Sequence, residues 1–136
     1  MNVATRLPHE PASVAEARAA LDPLEPAVDR AIIGTLRLLV SELVANSVRH
    51  SRPERSVGEI ELLVSISPET VRVEVADAGG GFAVRPRVAG QDQGSGWGLH
   101  LLDTLSDRWG TERDGRMRIW FEIDCGSGDH GRRNPD

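Results

Sequence analysis

A carboxylate, a carboxamide and an imidazole recur at every fourth residue in the stretch Ser41-Glu42-Leu43-Val44-Ala45-Asn46-Ser47-Val48-Arg49-His50-Ser51. Side chains four apart share a helix face. In a helix, Glu42, Asn46 and His50 therefore project together from a segment whose other faces are Leu and Val. A carboxylate can take a proton from an attacking hydroxyl, and an amide oxygen is a hard, neutral ligand suited to Mg²⁺. The alternative is a polar face that meets only solvent.

Two glycine clusters follow. In Asp77-Ala78-Gly79-Gly80-Gly81-Phe82 an acceptor stands where a strand ends, and the missing side chains let backbone approach a flat ligand. A plain glycine turn after a strand is the other reading. In Gly94-Ser95-Gly96-Trp97-Gly98-Leu99 the glycines open a helix, whose N-terminal amides and dipole favour a phosphate. The spacing is not that of a dinucleotide fingerprint, and a polar loop rather than a strand precedes it.

The elements that must hold these groups can be read from periodicity. Residues 2 to 7 suit an edge strand. An alanine-rich helix is predicted from about Ser13, its N-cap, to Leu21, and Pro23 and Pro26 break it. Asp29 is the expected cap of a longer helix from about Arg30 to His50, with Ile32, Ile33, Leu36, Leu39, Val40, Leu43, Val44 and Ser47 at helical spacing. Alternation of Ile60, Leu62, Val64 and Ile66, then of Val71, Val73 and Val75, predicts an antiparallel hairpin turning at Ser67-Pro68-Glu69. Residues 83 to 96 read as a long lid-like loop. A third helix is expected over Trp97 to Asp107. A closing hairpin follows, with strands near Arg108–Glu112 and Arg116–Ile123 and its turn at Asp114-Gly115. The expected organisation is one domain over residues 1–125 and a disordered polar tail over 126–136.

Composition removes several classes. A net charge of -5 offers no basic field for direct nucleic-acid binding. No stretch approaches the length of apolar residues that a membrane span needs, and no signal peptide pattern is present, so a cytoplasmic location is expected. Cys125 is alone, which excludes an internal disulfide, and its place near the tail does not suggest a nucleophile. His9, His50, His100 and His130 lack zinc-ligand spacing. Every basic residue is arginine. Without lysine, neither a Walker A loop nor a eukaryotic-type protein kinase site can be built.

The order of the three motifs is more specific than any one of them. A helix with Glu-x3-Asn, a strand-end DxGxG, a lid and a glycine-opened helix together resemble the GHKL ATPase superfamily, the Bergerat fold of gyrase, histidine kinases and mismatch-repair ATPases. Glu42 to His50 is similar to its N box, Asp77 to Phe82 to its G1 box, and Gly94 to Leu99 to its G2 box, over roughly residues 5 to 124. The resemblance implies an α+β fold. Its two-layer sandwich would have a mixed, mostly antiparallel sheet covered on one face by about three helices, with an ATP lid between the G1 and G2 boxes. The N-terminal stretch Pro11 to Arg18, the stretch Leu102 to Gly110 and Ile119-Trp120-Phe121-Glu122 most resemble the small anti-sigma factor and serine-kinase branch.

That resemblance implies ATP and Mg²⁺ as cofactors. Asp77 would hold the adenine amino group, Asn46 would ligate the metal, and Gly79 and Gly81 would allow close approach. Gly94, Gly96, Gly98 and Leu99 would hold the phosphates, and Glu42 would be the general base toward a serine hydroxyl. His50 could line the phosphates or meet its helix dipole, and His100 reads as packing or surface. Family members commonly carry a threonine two residues before the tryptophan of the last strand, where it helps bind adenine. Here, unless the alignment slips by one, that position is Arg118, which cannot accept a hydrogen bond and implies a rearranged contact. The implied partners are a sigma factor and an anti-sigma-factor antagonist, with homodimerisation expected from the family. The competing expectation is a non-catalytic ATP-binding switch whose lid controls partner binding. A histidine-kinase, gyrase-like or chaperone ATPase is expected only if this chain is a piece of a longer protein.

Overall fold

A computed structural model describes residues 2–49, 59–77, 97–113 and 116–125. In chain order they form β1 (Asn2–Leu7), α1 (Ala12–Ala19), a short 3₁₀ helix (Asp22–Ala27), α2 (Arg30–Arg49), β2 (Ile60–Ile66), β3 (Thr70–Asp77), α3 (Trp97–Leu105), β4 (Arg108–Arg113) and β5 (Met117–Asp124). The strands make one sheet of order β1-β2-β3-β5-β4, antiparallel at every pairing. This is the expected α+β architecture.

Alternation decides which face is covered. Ile60, Leu62 and Val64 on β2, Val71, Val73 and Val75 on β3, and Met117, Ile119, Phe121 and Ile123 on β5 are all buried. Their period of two puts them on one side of the pleat, and many are the β-branched types that fit it. Each fully buried Leu, Ile, Val or Phe contributes about 1.5–3 kcal/mol relative to exposure, so this face is the main source of stability. The edge position expected for residues 2 to 7 holds, since β1 pairs only with β2.

Against this face lies α2, with Ile32, Ile33, Leu36, Leu39, Val40, Leu43 and Val44 buried. By length and composition this helix is apolar enough to cross a bilayer, which corrects the expectation that no stretch approached that length. Its apolar surface is instead spent inside the fold, against β3, α1 and α3. The carbonyl of Asp29 accepts from the amide of Ile33 at 2.9 Å, the first bond that a residue in the N-cap position accepts.

Two local expectations change. Ser13 does not cap α1: the helix starts one residue earlier, after Pro11. Its buried hydroxyl instead donates to the Pro8 carbonyl at 2.5 Å, bracing the chain that leaves β1. α1 ends at Ala19, short of the expected Leu21. Pro23 and Pro26 sit in a separate 3₁₀ segment, Pro23 in its first turn, where a proline costs no hydrogen bond, and Pro26 inside it.

The other face of the sheet is built from charge. Arg72, Glu122 and Arg108 stand opposite one another on β3, β5 and β4. Glu122 accepts from Arg72 at 2.9 Å and from Arg108 at 2.8 Å. The Arg108 fork also grips Asp124. Arg72 lies 4.4 Å from the Trp120 ring centroid, a cation–π distance. Trp120 in turn covers Gly110 across the β4–β5 pair, where a Cβ would stand 2.9 Å from the indole. Glycine is required there for the tryptophan to lie flat.

Candidate nucleotide site

The register fixes where the first glycine cluster begins. Leu7 pairs with Ile60, Ile60 with Asp77, and Asp77 with Met117. This row crosses the covered face at one end of the sheet, and its other three members are buried apolar residues. Asp77 is 0% exposed and is the one ionisable side chain among the buried residues described. Burying a carboxyl group there costs several kcal/mol unless donors meet it.

Two donors do. The Ser47 hydroxyl, on α2 directly after Asn46, donates to Oδ2. His9, in the turn after β1, places Nε2 3.1 Å from Oδ1 and is itself 7% exposed on its side chain. A carboxylate offers about four acceptor positions, and these two side chains hold it from α2 and from the turn after β1. Ser47 also ties α2 to the end of β3, which joins the first sequence motif to the second.

Glu42 and Asn46 lie one turn apart on α2, both half-buried. Among the described residues Glu42 makes no hydrogen bond or ion pair. Arg49 Nη2 approaches the Asn46 amide oxygen at 3.5 Å, at the limit of a hydrogen bond. That oxygen therefore has a cationic neighbour on its own helix. Gly98 and Leu99 fall in the first turn of α3, where backbone amides lack intrahelical acceptors. Gly79, Gly81, Gly94 and Gly96, His50 and the loop of residues 83 to 96 lie outside the described residues.

Arg118 is a correction. Met117 and Ile119 face the helices, so Arg118 between them faces the opposite side, where it pairs with Glu74 at 3.5 Å and Glu112 at 3.4 Å. The residue beside Asp77 on β5 is Met117. Period-two alternation, applied from Asp77 outward, is the signal that separates the two. Arg118 is thus no obstacle to a ligand at Asp77.

Sequence reasoning passed over His9 and Ser47. Ser47 had a signal, a hydroxyl on the buried stripe of an apolar helix. His9 had none, because 68 residues separate it from Asp77. Arg18 donates to Ser41 on α2 at 3.2 Å. His100 is exposed. Burial pushes the Cys125 thiol above its usual value, helped by Asp124, Asp29 and Glu69, which disfavours its thiolate. No cluster of metal-ligating side chains occurs among the described residues. A cavity of about 470 Å³ between the 3₁₀ helix and the first half of α2 is lined by Glu25, Val28, Arg30, Ile33, Gly34 and Arg37. It contains neither Glu42 nor Asn46, and Arg37 is already engaged there with Asp22 and Glu25.

The donor set suits a nucleotide with its metal. It has a buried acceptor at a strand end, a neutral amide oxygen on the adjoining helix, an arginine beside that oxygen, and a helix N-terminus. A family model described as the histidine kinase-like ATPase domain matches residues 7–123. No curated protein matches the chain.

Proposed function

Because the chain belongs to the histidine kinase-like ATPase domain family, we propose that it is an ATP- and Mg²⁺-dependent anti-sigma regulatory factor. It would act as a serine/threonine-protein kinase toward an anti-sigma-factor antagonist and control transcription by sequestering a sigma factor. The observation that carries this reading is the Ser47–Asp77 hydrogen bond. It brings the helix bearing Glu42 and Asn46 against the strand-end carboxylate, so that base recognition and phosphate chemistry share one rigid unit.

In this reading Asp77 accepts the adenine amino group. Asn46 holds the metal through its amide oxygen, and Arg49 adds positive charge beside it. Gly79 and Gly81 give the backbone room, and Gly94, Gly96, Gly98 and Leu99 present the amides of the phosphate seat. Bound Mg²⁺ neutralises charge on the phosphates. Glu42, half-buried and without a described partner, takes the proton of the attacking serine hydroxyl. Catalysis then rests on positioning and electrostatics more than on covalent chemistry.

A non-catalytic switch would rest on Arg118, which pairs with Glu74 and Glu112 on the far face of the sheet. It would rest also on a lid with little phosphate-binding charge beyond Arg85 and Arg87, which lies outside the described residues. Glu42→Ala separates the two functions. The variant should bind ATP as the wild type does and lose transfer of labelled phosphate to the serine of an antagonist protein by about 10²–10⁴-fold. Equal transfer by variant and wild type would reject Glu42 as the base.

A further inference from the structure

We infer that His9 is a positioning residue of the base site, which sets how strongly and how selectively Asp77 recognises the C6 amino group of a purine. This rests on the reading of Asp77 as the acceptor for the base.

The turn that carries His9 is braced on both sides. Ahead of it, Leu7 ends β1 in the same cross-sheet row as Asp77. Behind it, Ser13 donates its hydroxyl to Pro8 at 2.5 Å and its amide to Glu10 at 2.9 Å, while the Glu10 amide bonds the Pro8 carbonyl at 2.9 Å. Pro8 and Pro11 each fix one backbone angle in this stretch. The ring, 7% exposed, is held 3.1 Å from Oδ1.

The order of the three polar groups limits what they can do. Ser47 and His9 both bind the carboxyl group, one at each oxygen, and not each other. In a nucleophilic triad the imidazole would stand between the hydroxyl and the carboxylate. Here the carboxylate stands in the middle, so the serine has no base and the cluster is not a hydrolytic site. What the arrangement does is lock the plane of the Asp77 carboxylate. This requires His9 Nε2 to donate to Oδ1, since a carboxylate oxygen facing it accepts.

A locked acceptor meets an in-plane amino hydrogen well and a keto oxygen badly, since two acceptors then face each other without a proton. Without His9, Oδ1 loses the group that holds it at 3.1 Å, and discrimination falls with affinity.

Titration of the full chain with Mg-ADP and with Mg-IDP, which has a keto oxygen at C6 on the same phosphates, tests this. His9→Ala should weaken Mg-ADP by about tenfold, or about 1.4 kcal/mol, and leave Mg-IDP nearly unchanged. His9→Gln, whose side-chain amide can reach and donate like Nε2, should recover most of the loss. A merely structural role would weaken both nucleotides alike and leave their ratio intact, and that result overturns the inference. Asp77→Asn is the reference: wild-type ADP affinity in that variant would refute the base-site reading itself. Loss in Asp77→Asn with an unchanged ratio in His9→Ala would refute only the role of His9. If His9→Ala does not fold, ¹⁵N NMR of the wild-type imidazole decides. Protonated Nε2 is expected, and a neutral ring protonated only at Nδ1 would overturn the inference.

Discussion

The two faces of the sheet hold their charges by opposite means. On the open face Glu122 sits between Arg72 and Arg108, and water reaches part of every side chain in that chain of ion pairs. On the covered face Asp77 is wholly buried in a row of apolar residues and is held by a hydroxyl and an imidazole. Charges of the first kind follow from strand pairing, where opposite signs stand across from each other, and each contributes little. A charge of the second kind works against folding unless its donors are in place. Its retention in the core is the mark of a site rather than of a fold.

Breaking each arrangement at one atom should separate them by size. The larger effect is expected for Ser47→Ala, which removes a donor from a buried carboxyl group. Chemical unfolding should show a loss of about 3 kcal/mol, with the denaturant slope unchanged. A loss below about 0.5 kcal/mol would mean that Asp77 is not committed to this hydrogen bond, and the contrast between the faces would fail.

The smaller effect belongs to the open face. Glu122→Gln should cost at most about 1 kcal/mol at neutral pH. Hydrogen bonds from Arg108, then Arg72, hold the Glu122 carboxyl below its ordinary value of 4.5. A carboxyl group lowered on folding stabilises the protein fully above that ordinary value, and the contribution is lost as pH falls through the lowered one. The wild type and Glu122→Gln should therefore differ most near neutrality and converge in acid, as pH falls below 4.5 and through the lowered value. A difference that grows on acidification would contradict the bridging role.

Much of this was legible in the sequence because periodicity is a local signal. The alternation of Val71, Val73 and Val75, the helical spacing from Ile32 to Ser47, and the turn at Ser67 each depend on neighbours in the chain. All three elements stand where they were expected. Asp77 was legible as a strand-end acceptor, since a run of glycines marked where the strand stopped. What escaped was what only the register reveals. His9 meets Asp77 because β1 returns to the row of Ile60 and Asp77. Arg118 leaves the Asp77 side because β5 shows Met117 to Asp77 instead. A one-residue shift turns a side chain to the other face, and no motif carries that information. The 3₁₀ segment was likewise hidden, because prolines that stop α1 still admit a short 3₁₀ helix, with Pro23 in its first turn.

The central claim is that Asp77 is kept in the core to read a nucleotide base. Calorimetric titration of wild type and Asp77→Asn with Mg-ATP and Mg-ADP tests it most directly. The wild type should bind saturably, and the near-isosteric variant should remain folded and bind about 10–100-fold more weakly, the loss of a hydrogen bond to a charged acceptor. Absence of binding heat in the wild type, or equal affinity in the two proteins, would contradict the account.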